Sequence, residues 1–410
     1  MKCIKNIGVL ATPKGNKALC GEEQGNVLLL FNKNIIIDNE IIADILDYVP
    51  ESFSGEIIDA QNSLVTPGLV DAHTHLVFGG FREHELQLKM QGVPYLDILA
   101  QGGGILSTVK ETRKATEEEL YTKARKEALE MLKSGTTTCE AKSGYGLNLQ
   151  DEIKQMRVAK RLNDTEKIDI VSTQMAAHAV PEEYKNDREG YIKLIIDTII
   201  PETKKQNLAE FVDVFCETGV FSVEETRRIL LAAREHGLKL KIHADEIDAI
   251  GGSELAGELS ATSAEHLIAI EDKGIKALKR GGTVACLLPA TSFYLGKNYA
   301  PARKLINAGV PVAIATDFNP GSCPCNSLKL CINLANYNYK MTPQEVLTAV
   351  TLNAAAAIDR ADKIGSIEKG KQADIVIWDA ANLDYFCYRF GSPMVKKVIK
   401  RGELQNIGLY

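Results

Sequence analysis

A chain of 410 residues exceeds one ordinary core, and it can bury about 75% of its unfolded surface without disulfide staples. Its 48 basic residues against 54 acidic ones leave a net charge of −6, which argues against a nucleic-acid or anionic-membrane partner, since both call for a basic face. Nine scattered cysteines, an odd number, argue against a disulfide framework and fit a reducing compartment.

The opening MKCIKNIGVLATPKG holds too short an apolar run for a secretory signal. No stretch reaches the ~18 apolar residues that span a bilayer, so a cytoplasmic protein is expected. Residues 1–66 alternate short apolar runs (Cys3–Val9, Asn26–Phe31, Asn34–Ile37, Glu56–Asp59) with Gly, Asn and Asp, the pattern of a small β-rich unit. Pro67-Gly68 breaks it.

Eight buried strand cores follow, at 69–75, 136–140, 168–175, 211–216, 239–243, 261–265, 283–288 and 311–316, with helical segments between or after most of them. Thr116–Ser134 is the clearest helix. Thr116 and Glu119 make a capping box, Leu120, Ala124, Ala128 and Leu132 share one face, and Gly135 ends it. Val223–Glu235 has the same kind of box in Ser222 and Glu225, and Pro343–Ala357 reads as a third helix. Eight alternations predict a (β/α)8 barrel over 67–358. A doubly wound open sheet is the competitor, but no G-x-G-x-x-G follows a strand. The tail turns β-like again at Gly365–Ile367, Ala373–Asp379 and Val395–Ile399. Residues 359–410 are therefore expected to join residues 1–66 in a small β-sandwich domain built from both ends of the chain.

Working residues of such a barrel lie at the C-terminal ends of its strands. Of the seven histidines, His73 and His75 end the first strand, His178 follows the third, His243 ends the fifth and His266 the sixth. His236 sits at a helix end, and His84 lies in the loop after the first strand. On a strand, residues i and i+2 point to one face, so His73 and His75 can converge on one ion. The eighth strand delivers Asp317 to its tip in ATDFNPGS. Three imidazoles and one carboxylate suit zinc or iron with a position left for water, which makes His73, His75, His243 and Asp317 the expected ligands. Such an ion activates water for hydrolysis or deamination at a trigonal carbon. Asp317 can take the water proton, His266 can hydrogen-bond the attacking oxygen or the oxyanion, and Glu246 can shuttle a proton or bind a ring N–H. Cys323-Pro324-Cys325 with Cys331 lacks a second C-x-x-C set and reads as loop thiols.

Several features together resemble the amidohydrolase superfamily: PGLVDAHTH, the single His of the fifth strand, SAEHL, ATDFNPGS and the tail GSIEKGKQADIVIWD. Finer motifs resemble the branch that opens an imidazolone ring in histidine degradation. These are HTHLVFGGFREHE, GGGI, CEAKSGYGL, AAHAVP, IHADE and TDFNPGS. The resemblance implies hydrolysis of the ring C–N bond of 4-imidazolone-5-propanoate to N-formimidoyl-L-glutamate, one Zn2+ or iron (Fe2+ or Fe3+) ion, and a homodimer. It places the metal ligands on His73, His75, His243 and Asp317, and substrate contacts on Arg82, Tyr145, His178, Glu246, Asn319, Gly321 and Ser322. The last of these is often Thr in relatives; Ser keeps the hydroxyl. Many members carry a carboxylated Lys on the fourth strand, but Val214-Phe215-Cys216-Glu217 has none, which implies a single metal. The propanoate would pair with the planar fork of Arg82, which otherwise would serve a salt bridge to Glu83 or Glu85. Gly102-Gly103-Gly104 would be a lid or a donor nest. Two other readings stand beside this one: a deaminase or cyclic amidase acting on another small nitrogen heterocycle, and a non-catalytic scaffold.

Overall fold

The computed structural model describes residues 1–93 and 103–406. Strand β1 (Lys2–Thr12) runs antiparallel to β2 (Leu28–Phe31) and β3 (Asn34–Asp38), and β4 (Ile41–Leu46) folds back on β3. The long β5 (Glu56–Pro67) lies parallel to β1. β4 was not anticipated, because Ala43-Asp44 interrupts its apolar run. Pairing with the buried β3, not alternation, holds it in place.

All eight anticipated barrel strands are present: β6 (Leu69–Asp71), β7 (Thr136–Lys142), β8 (Asp169–Ala177), β9 (Phe211–Cys216), β10 (Lys239–Ala244), β11 (Ser263–His266), β12 (Val284–Leu287) and β13 (Val312–Ile314). They pair in chain order into one parallel sheet. The first is shorter than the expected 69–75. Beyond Asp71 the backbone leaves the strand ladder and bonds across the seam to the end of β13. The Asp317 N–H donates to the His73 carbonyl at 3.0 Å, and the His75 N–H to the Phe318 carbonyl at 2.8 Å. The two histidines therefore owe their placement to barrel closure and not to strand pleat.

The helices Glu117–Lys133 and Val223–Glu235 form as anticipated, each with its capping box. The segment from Pro343 is not one helix but two, Pro343–Ala349 and Leu352–Ala357. The break has a cause: the Val350 carbonyl turns out to accept from the Val70 N–H at 2.9 Å, closing the lower end of the same seam.

After the barrel, β14 (Ile375–Trp378) pairs antiparallel with β5, and β15 (Val395–Lys400) and β16 (Glu403–Leu404) extend the sheet. The order is β16-β15-β14-β5-β1-β3-β4, so both ends of the chain share one mixed sheet. Ile4, Ile35, Ile37, Ile58, Ile375, Ile377 and Ile399 form its apolar core. The anticipated strand at Gly365–Ile367 is absent. The Ile367 N–H bonds instead to the Thr12 hydroxyl at 2.8 Å, a side chain that offers no ladder.

Trp378 pins the sheet to the barrel. Its indole N–H donates to Thr66 Oγ1 at 2.8 Å, and its ring meets Gly135, where a Cβ would stand 2.7 Å from Cη2. Gly135 also has φ +96°, a left-handed conformation that favours glycine. Gly135→Ala is expected to cost about 1–3 kcal/mol through overpacking and backbone strain, read as a lower urea midpoint. An unchanged midpoint would show that the indole yields freely.

Candidate metal centre and active site

The two buried runs that close the barrel, 71–75 and 315–318, bring five imidazoles and one carboxylate together. The His73 ring centroid lies 4.6 Å from that of His243, 5.5 Å from His75 and 5.7 Å from His266. Asp317 Oδ1 stands 3.3 Å from His73 Nε2 and 3.7 Å from His75 Nε2. Ligand-capable atoms form two triads that share His73, one with His75 and Asp317, the other with His243 and His266, each within 4.8 Å internally. The four residues singled out as ligands thus fall in overlapping triads, and His266 lies as near as they do. His84 and His236 are exposed and lie outside this cluster, as their positions in the sequence suggested.

The donor chemistry fits a metal ion. His73 Nε2, His75 Nδ1, His243 Nε2 and His266 Nδ1 are buried without a hydrogen-bond partner. Burial, Lys142 and the neighbouring imidazoles hold His73, His75 and His243 well below the ordinary imidazole range. Neutral rings offer the lone pairs a cation needs. Asp317 sits at φ +56° with its carboxyl pushed up to about 7, chiefly by burial and also by Glu246. Its other oxygen accepts from the Thr291 hydroxyl at 2.7 Å, so Oδ1 is the one left facing the imidazoles.

Beneath the cluster lies a charge network that the sequence reading missed. Lys142 pairs with Asp213 at 2.7 Å and Glu140 at 2.9 Å, and Lys241 with Glu140 at 3.0 Å and Glu265 at 3.3 Å. All five side chains are fully buried. Two of the acids reach the imidazoles: Glu265 Oε2 is 2.6 Å from His73 Nδ1, and Asp213 Oδ2 is 3.1 Å from His243 Nδ1. Burial pushes the Glu265 carboxyl up, but the Lys241 and Lys142 ammonium groups outweigh it and hold it down at about 2. A partial signal was available: Glu140 and Lys142 in TTTCEAK, and Lys241 and His243 in KLKIHA, stand two apart and so share one face of their strands, while Asp213 is the lone charge in the apolar FVDVFC.

Three of the residues assigned to substrate, His178, Tyr145 and Glu246, border this cluster. His178 stacks on His75 with centroids 4.9 Å apart, and its Nδ1–H donates to the Gly144 carbonyl at 3.1 Å, leaving Nε2 as an acceptor. Burial pushes its pKa down to about 4. The Tyr145 ring lies 5.3 Å from His178 and 5.7 Å from His75. Glu246 Oε2 is 3.5 Å from His266 Nε2, and burial together with the Glu217 charge raises its pKa to about 7. Glu217, also missed, accepts from the Ile247 N–H at 2.9 Å and the Asp248 N–H at 3.2 Å, which fixes the turn after Glu246.

Arg82 lies against Gly321 so closely that a Cβ there would fall 1.1 Å from its Nη2. The guanidinium thus occupies the space that a side chain at position 321 would take. Among the described residues Arg82 forms no ion pair, so the alternative salt bridge to Glu83 or Glu85 is not made; Glu85 instead holds Lys89 at 3.0 Å. The Asn319 side chain organises its own turn, accepting from the Gly321 and Ser322 N–H groups at 2.9 and 2.7 Å and donating to Ser322 Oγ at 2.8 Å. Of the Gly102-Gly103-Gly104 run, Gly102 lies outside the described residues. The Gly104 N–H donates to Glu85 Oε1 at 2.6 Å. Cys323, Cys325 and Cys331 are free thiols. Among the described residues no helix is long and apolar enough to cross a membrane.

Residues 64–404 match the amidohydrolase family. The chain is 56% identical over 349 residues to the imidazolonepropionase of Fusobacterium nucleatum, covering 85% of this chain and 84% of that one. It is 50% identical over 409 residues to the imidazolonepropionase of Alkaliphilus metalliredigens, covering 98% and 97%. Among solved structures it resembles a 5-methylcytosine deaminase from Klebsiella pneumoniae, with TM-score 0.75 and 19% identity over 98% of this chain and 97% of that one. A zinc-bound adenosine deaminase from Xanthomonas campestris gives TM-score 0.70 at 19% identity over 98% and 92%. At such identities the likeness is one of fold.

Proposed function

The chain belongs to the amidohydrolase family, and from that premise we propose that it hydrolyses the ring C–N bond of 4-imidazolone-5-propanoate to N-formimidoyl-L-glutamate. The observation that carries this is the buried cluster of neutral imidazoles and one carboxylate at the barrel seam, in a chain half identical to imidazolonepropionases along nearly its whole length. We assign His73, His75, His243 and Asp317 to one Zn2+ or iron ion, which when bound supplies Lewis acidity and brings the pKa of water towards ~7.

The chain's own residues divide the remaining work. Asp317 receives the proton of the attacking water, a role suited to a carboxyl that burial has raised to about 7. His266 donates to the oxyanion that grows on the carbonyl. Glu246, ionised, accepts a ring N–H of the bound substrate and then relays the proton that Asp317 took from water to the nitrogen that leaves carbon, so water adds across the broken C–N bond. Tyr145 and His178 border the ring, while Asn319 and Ser322 shape the turn that seats Gly321 against Arg82. Arg82 takes the propanoate in a bidentate pair. The division of the chain into residues 67–358 as catalytic barrel and 1–66 plus 359–410 as the smaller unit belongs to the same proposal. So do a cytoplasmic location and a homodimer.

Addition of metal-replete protein to 4-imidazolone-5-propanoate is expected to abolish the substrate's ultraviolet absorbance. An unchanged spectrum, with ammonia released from another heterocycle, would favour the deaminase reading. Arg82→Ala is expected to raise KM by about 10–100-fold with a smaller fall in kcat, because the anchored carboxylate is remote from the reacting carbon. A loss confined to kcat would contradict that anchoring role.

A further inference from the structure

We propose that Glu265 is the positioning residue that sets the tautomer of His73 and so turns the Nε2 lone pair towards the shared centre. A neutral imidazole carries one N–H and one lone pair, and the partner of one nitrogen decides the state of the other. Two carboxylates compete for the His73 proton: Glu265 Oε2 stands 2.6 Å from Nδ1, and Asp317 Oδ1 3.3 Å from Nε2. Only the first contact is a hydrogen bond; Nε2 has no such partner.

Glu265 can only accept here. Its Oε1 is already taken by the Ser263 hydroxyl and by Lys241 Nζ at 3.3 Å, and Lys241 is tied in turn to the Ala72 carbonyl at 3.2 Å, next to His73 in the chain. The proton therefore rests on Nδ1, and Nε2 is left as a donor atom towards His75, Asp317, His243 and His266. Pairs of this kind between a carboxylate and a metal-binding imidazole fix ring orientation and raise its basicity.

The isosteric Glu265→Gln tests this sharply. Lys241 and Ser263 are donors, so they claim the single amide oxygen. The amide N–H then faces His73 Nδ1 and turns it into an acceptor. The proton moves to Nε2 and blocks the lone pair.

The inference rests on the reading of His73 as a metal ligand, and the experiment separates the two. Long-range 1H–15N correlation spectra of metal-free protein, assigned with His73→Gln, report the tautomer without any metal. Zn2+ affinity follows by competition with a chromophoric chelator. The expected results are Nδ1–H in the parent, Nε2–H in Glu265→Gln, and a loss of Zn2+ affinity of about 10–100-fold or more in that variant. Nε2–H in the metal-free parent, or affinity within twofold of the parent in folded Glu265→Gln, would overturn the proposal. Should Glu265→Gln not fold, the parent spectrum alone decides. A parent showing Nδ1–H but no Zn2+ binding would sink the metal-ligand reading while upholding the tautomer.

Discussion

Asp317→Asn is expected to lower kcat/KM by at least about 10^3-fold, which is ~4 kcal/mol of transition-state stabilisation. The shape of the side chain is kept, so the cause is chemical. Thr291 donates to one Asp317 oxygen at 2.7 Å, and that donor will hold the amide oxygen of Asn. The amide NH2 is then left on the side facing His73 and His75, where it repels a cation and cannot receive a proton. His243→Ala serves as the comparison. It removes a donor, leaves the Asp317 carboxylate in place, and is expected to lose bound metal outright. Metal content by elemental analysis, alongside turnover with and without added Zn2+, separates the two effects. Asp317→Asn protein with parental turnover would remove Asp317 from the chemistry altogether.

Lys142→Met is expected to be the most destabilising single change in the barrel core, at about 3–5 kcal/mol. Three carboxylates, Glu140, Asp213 and Glu265, share two ammonium groups, and all five side chains are fully buried. Burial disfavours the charge of Lys142, but Asp213, Glu140 and Glu265 outweigh it and raise its pKa. Removing the ammonium leaves Asp213 without its cation at 2.7 Å. Lys142→Met/Asp213→Asn removes both charges and is expected to recover part of the loss, because a buried pair is costly mainly when half of it is taken away. Urea denaturation of the parent, the single and the double variants reads this directly. Additive losses would mean that the pair is not coupled.

The network also explains why the site was legible only in part. The histidines announced themselves because five of seven fall at strand tips, and that clustering survives without knowledge of any contact. Glu140, Lys142, Asp213, Lys241 and Glu265 did not, because a charge within an apolar strand has no partner until five strands are laid side by side. Arg82 could be suspected as an anion binder from its chemistry. Its freedom from Glu83 and Glu85, and its packing against a bare Gly321, depend on how the loops after β6 and β13 meet. The break between Ala349 and Leu352 shows the same limit, since it is set by a hydrogen-bond partner far away in the chain, the Val70 N–H.

By itself the sequence determined what short-range periodicity and capping encode: eight apolar strands, the helices with their Thr116 and Ser222 caps, and the delivery of His73, His75, His243, His266 and Asp317 to strand ends. The tertiary structure decided what needs closure: the seam in which the 71–75 backbone bonds to 316–318, the triads that share His73, and the buried acids that hold the imidazoles. The reason is one of range. Strand pleat and helix turn are settled by residues two to four apart, whereas the seam joins residues some 240 positions apart, as Asp71 and Thr316 do.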